Sequence, residues 1–199
     1  DNSGASLRTD DFGGLMRFNG VVLDGGTLVT TSSADYSFSS GANVLNNVNV
    51  QGDLELLQNS ATTRVRNGTD VSGTVRLAGN GRLGFEGTQT VNWDIDQTGA
   101  QNAQLTVEGS NSVVTFGPSN SVQGARIDIG SAFAIGGTRT LINQGLVSAD
   151  VANVTGVRFS SIASLTNDGV IEAMTGGREQ VMASVADFTN NGQINIGSG

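Results

Sequence analysis

Asp94 and Asp96 are the acid pair best spaced for chemistry in this chain. Two residues apart on a strand, they would point to the same side, and Asn92 joins them. In Asp94-Ile95-Asp96-Gln97-Thr98-Gly99, oxygen-bearing side chains alternate and glycine stands sixth, as at the start of a calcium loop. The bidentate Glu such a loop needs six residues after its glycine is Leu105 here. We therefore expect a solvated acidic strand, with Asp94, Asp96 and Thr98 as the metal candidates should calcium bind. Trp93 is the ligand candidate, since an exposed indole stacks on a sugar ring. It alternates with Val91 and Ile95, however, which predicts burial. Asp11-Phe12-Gly13 has the letters of a kinase metal loop but none of its supporting motifs, and reads as chance. Asn67-Gly68-Thr69 and Asn153-Val154-Thr155 fit the glycosylation triplet, a weak signal in a chain rich in Asn and Thr.

Composition removes several chemistries. The 199 residues hold 18 acids against 10 basic residues, all Arg, for a net charge of −8. That balance argues against nucleic-acid binding and against docking on anionic lipid. With no His and no Cys, Ser-His-Asp and Cys-His catalysis, disulfides and Cys-based zinc sites are excluded in this segment. No run of 18 apolar residues exists to insert in a membrane. No cofactor is expected, calcium aside.

The elements that must position these residues follow from a repeat. Leu141-Ile142-Asn143-Gln144-Gly145-Leu146-Val147-Ser148-Ala149 recurs in form at Leu165 to Ala173 and at Phe188 to Ile196. The glycines of the three copies, Gly145, Gly169 and Gly192, fall at a nearly constant interval. A period in the twenties marks a solenoid. Its inward pairs can be followed back as Leu54/Leu56, Val75/Leu77, Leu105/Val107, Ile127/Ile129, Val147/Ala149, Ile171/Ala173 and Ile194/Ile196. The step from Val75 to Leu105 is much the longest of these, which predicts one longer coil with an insertion near residues 86–102. A second ladder follows at Leu83/Phe85, Val114/Phe116, Phe133/Ile135, Val157/Phe159 and Val181/Ala183, and a third at Val91/Trp93, Leu141, Leu165 and Phe188.

Three short strands per coil, each paired with its copy one coil on, predict an all-β, right-handed parallel β-helix. About seven coils, of 20–24 residues apart from the long one, give a rod of roughly 35 Å. Residues 1–20 do not fit the repeat and are expected to form an edge or cap, with the β-helix over 21–199. Asn143, Asn167 and Asn190 share one corner and predict a structural amide ladder. Glu55 and Arg76, outward on neighbouring rungs, predict a cross-coil ion pair.

The phrases LINQGLVSA, LTNDGVIEA and FTNNGQINIG resemble the β-helical repeats of large secreted bacterial adhesins and autotransporter passengers, including filamentous-haemagglutinin-type proteins. The resemblance spans roughly residues 20–199. It implies secretion, display at the bacterial surface (outer membrane or extracellular matrix), and a structural stalk serving adhesion or biofilm contacts. The partners it implies are a glycan or a host or neighbouring-cell surface protein, and further solenoid coils of a longer parent chain. It carries over no binding residues. The alternative is a carbohydrate-active β-helix, either a polysaccharide lyase or a tailspike-like depolymerase. Carboxylates clustered with Arg on one face would favour that enzyme; an evenly mixed surface favours the non-enzymatic stalk.

Overall fold

The computed structural model describes residues 2–99, 101–149, 155–173, 178–180 and 184–197. Its regular structure is 26 short strands and a single turn of 3-10 helix, Thr9–Phe12. Every pairing among the described strands is parallel. With two exceptions, each strand pairs with the strand three places on, so three strands close one coil and about eight coils stack as a β-solenoid. No helix among the described residues is long and apolar enough to cross a membrane.

The rod has three faces, and two of them are interrupted. The first face is a four-stranded ladder from Ser6–Arg8 to Asp70–Val71, then a five-stranded one from Gln89–Val91 to Val185–Asn190. The second pairs Met16–Phe18 with Tyr36–Phe38, then runs unbroken through seven strands from Leu54–Leu56 to Gln193–Ile196. The third runs through eight strands without interruption, from Val22–Asp24 to Arg178–Gln180.

Strand alternation fills the interior with stacked apolar columns. On the second face Leu54, Val75, Ile95, Val122, Val147 and Ile171 follow one another in register, all fully buried. Each such side chain contributes about 1.5–3 kcal/mol over its exposed state. Ile194 and Ile196 continue the columns in register but are 38% and 77% exposed, because no described rung stacks above them.

The structure corrects the predicted ladders. Leu105/Val107 and Ile127/Ile129 belong to the third face, stacked with Leu83/Phe85 and Val157/Phe159. Their places on the second face are taken by Ile95/Gln97 and Val122/Gly124. These rungs escape an apolar search because the second inward position is polar or bare. Buried Gln97 donates to the carbonyls of Gly99 and Gln101 at 2.8 and 2.9 Å, and its oxygen accepts the N–H groups of Ala125 and Arg126. Gly124 must follow it: at φ +148 a Cβ there would meet Gln97 Cβ at 2.6 Å. Val114/Phe116 lies on the first face, and Val181/Ala183 falls outside the described residues.

The long coil is also displaced. Val75 pairs directly with Ile95, so residues 86–102 hold no insertion. The longest step on the second face instead runs from Ile95 to Val122, and on the third from Ile127 to Val157. An extra loop, residues 131–138, separates Ile127–Gly130 from Arg139–Asn143 and holds Phe133 and Ile135 outside any ladder. Three N–H groups of this loop, from Phe133, Ala134 and Ile135, donate to the buried Glu108 carboxylate at 2.9, 3.1 and 2.6 Å. Residues 1–20 contribute Ser6–Arg8 and Met16–Phe18, the outermost strands of their ladders, and make up most of one further coil.

Candidate functional site

The break in the second face creates a polar site. Between Tyr36–Phe38 and Leu54–Leu56 the backbone ladder stops, and the Tyr36 side chain takes its place. The Tyr36 hydroxyl donates to the Asp53 carbonyl at 2.7 Å and accepts the Glu55 N–H at 2.9 Å. One phenol thus serves both a backbone donor and a backbone acceptor where the ladder stops. The ring is 3% exposed, edge-on to Phe38, and burial pushes its hydroxyl pKa well up. Thr30 adds a second support, donating to the Asp53 carbonyl at 2.7 Å.

Outside this wedge lies a recess of about 370 Å³, lined by Thr30, Thr31, Ser32, Ser33, Tyr36, Asp53 and Glu55 among others. A smaller recess of about 120 Å³ lies against Tyr36 and Glu55 and reaches Leu57 and Gln58. Arg76, one rung on, hydrogen-bonds Asp53 and reaches Glu55 Oε1 at 3.4 Å, the expected cross-coil pair with a second acid added. Asp96 faces Arg76 from the next rung and adds to its charge stabilisation, after the larger contribution of the Asp53 hydrogen bond. Burial pushes the Asp53 carboxyl up, but the Arg76 hydrogen bond, the Thr74 N–H and the Arg76 charge outweigh it and hold Asp53 below its ordinary value of 3.8. Glu55 Oε2 is buried and has no hydrogen-bond partner among the described residues. The arrangement, two carboxylates sharing one guanidinium beside hydroxyl groups, suits a polyhydroxylated ligand. Asp53 and Tyr36 were not picked out by the sequence. Asp53 sits at a corner just before its strand, and Tyr36 reads as an ordinary core aromatic; being the only Tyr was the one available signal.

The residues singled out from the sequence fall elsewhere. Asp94 is exposed at a corner of the first-face break, beside a recess of about 340 Å³ that also takes in Asp70, Ser72 and Asn92. Asp96 and Thr98 line a different recess, with Gln123. Asp94 sits at the corner just before the strand Ile95–Gln97 and Asp96 on it, so the two border different recesses. Among the described residues no three acids are grouped to hold a metal. Trp93 is 6% exposed and its ring lies 6.0 Å from that of Phe85, so the sugar-stacking role expected of an exposed indole gives way to core packing. Asn143 donates to Asn167 at 2.8 Å and Asn167 to Asn190 at 2.7 Å, the predicted amide ladder. It starts at Asn143, whose oxygen is buried without a partner among the described residues because the rung before it presents Phe116. Asn153 lies outside the described residues, and Asn67, exposed at φ 53°, donates to Asn46 at 2.6 Å. No family model, no curated protein and no solved structure matches this chain.

Proposed function

We propose that this chain is a non-enzymatic segment of a secreted bacterial surface rod, an adhesin or passenger stalk whose outer faces meet a glycan or a cell-surface protein. One observation carries this reading: several outward side chains on successive coils are engaged with one another along the rod axis. Arg76 draws in Asp53 and Glu55, Ser148 donates to Glu172 at 3.1 Å, and Arg158 grips Asp128 through two bonds at 2.7 and 2.9 Å. Side chains that tie coil to coil stiffen a rod. A hydrolytic or lyase centre instead needs acids left able to exchange protons with substrate. The test is binding of the labelled protein to a glycan and matrix-protein array, with and without calcium, alongside assays for polysaccharide cleavage. Binding without cleavage fits the stalk; released oligosaccharides end that reading.

The second reading, a carbohydrate-active enzyme, is favoured by Asp53 and Glu55 converging on Arg76 at a hydroxyl-lined recess. If it holds, Glu55→Gln abolishes cleavage and leaves the melting temperature near that of the parent protein.

A further inference from the structure

The third face carries or adjoins most of the chain's ten arginines, in a protein of net charge −8. Arg64 and Arg66 bind Glu86 at 2.9 and 3.0 Å, Arg158 binds Asp128, and Arg82 lies 5.4 Å from the Phe133 ring centre. Arg126 differs from these four. Its side chain makes no ion pair, hydrogen bond or ring contact among the described residues; a buried, unbonded Nε it shares with Arg64, Arg66 and Arg82. Arg126 lines a recess of about 230 Å³ together with Asn102, Asp128, Gly156 and Arg158.

The chemistry of that recess is asymmetric. Arg158 is held in place by Asp128, so its charge is matched. Arg126 presents a half-buried guanidinium whose charge no acid among the described residues matches. A guanidinium fork fits the two oxygens of a carboxylate. Beside it, the Asn102 amide and the outer lone pairs of Asp128 are suited to sugar hydroxyls.

We infer that this recess binds a uronic-acid residue of an acidic glycan, with Arg126 on the sugar carboxylate and Asn102 and Asp128 on its hydroxyls. The inference deepens the reading of the rod as a display surface and rests on it for the ligand's setting. A nucleic acid fits less well: the recess offers one uncommitted cation and no exposed aromatic side chain for a base to stack on.

The test is calorimetric titration of the whole protein with trigalacturonate, with its methyl ester, and with a single-stranded oligothymidine, followed by sizing of the sugar. The trimer should bind, its ester should not, and Arg126→Gln should weaken binding roughly tenfold or more, as expected for loss of a charge-assisted contact. Asn102→Ala should weaken it by a smaller factor with an unchanged melt. Equal binding by Arg126→Gln, equal binding of the ester, no binding, or tighter Arg126-dependent binding of the oligothymidine each overturns the inference. An intact trimer that fails to bind leaves the rod reading standing; a cleaved trimer ends the rod reading, and Arg126→Gln still reports on the site.

Discussion

The two ends of this rod are built differently. From Arg139 onward, coils repeat one phrase at a nearly constant interval, corners stack Asn on Asn, and the first and second faces run without a gap. In the earlier coils both of those faces break, once beside Tyr36 and once between Asp70–Val71 and Gln89–Val91. The recesses of about 370 and 340 Å³ lie at those breaks. Strict repetition gives each backbone group an identical neighbour and so a closed surface. Where the phrase drifts, a side chain must substitute for the backbone, and a hollow with polar walls is left beside it. The regular first and second faces therefore supply stability, while the two breaks, and the third-face recess at Arg126 and Arg158, supply places for ligands.

The largest effect should come from the regular half. Ile171→Asp places an unpaired charge in a fully buried column and should cost several kcal/mol, enough to unfold the rod or sharply lower its melting temperature by circular dichroism. An unchanged melt would mean the column is not the core.

Asn167→Ala comes next. It removes the bonds from Asn143 and to Asn190 and the Gln193 carbonyl, strands the buried Asn143 amide, and should cost about 1–3 kcal/mol. Tyr36→Phe makes the same kind of loss in the irregular half, leaving the Asp53 carbonyl and Glu55 N–H without the hydroxyl. Water in the adjoining recess should restore part of that, so about 1 kcal/mol is expected. A Tyr36→Phe loss larger than that of Asn167→Ala would reverse the comparison and make the break a stabilising feature.

The smallest effect is electrostatic. Asp53→Asn should cost below about 1 kcal/mol, since Asp53 and Arg76 are 40% and 34% exposed. Its pH dependence has a definite sign. A carboxyl held below its ordinary value contributes stability above that value and loses it as pH falls through the folded-state value. The melts of Asp53→Asn and the parent should therefore differ at neutral pH and converge in acid. A difference that grows on acidification would show that Arg76 does not hold Asp53.

The amino-acid sequence alone determined the parallel solenoid, its three strands per coil, the Asn143–Asn167–Asn190 ladder, the Glu55–Arg76 contact and the burial of Trp93. These are legible because a period of two along a strand and a period in the twenties along the chain are both one-dimensional patterns. Tertiary structure alone decided which apolar pairs share a face. Ile95/Gln97 keeps the repeat spacing but lacks the second apolar residue, Leu105/Val107 has both apolar residues but breaks the spacing, and the backbone pairing of Val75 with Ile95 decides between them. It also decided the recesses. Tyr36, Asp53 and Arg76 are scattered along the chain, and Arg126 lies far from Arg158, until coiling sets them on adjacent rungs. Adjacency across coils depends on the length of every intervening turn, and a loop such as residues 131–138 shifts it without leaving a mark on either strand.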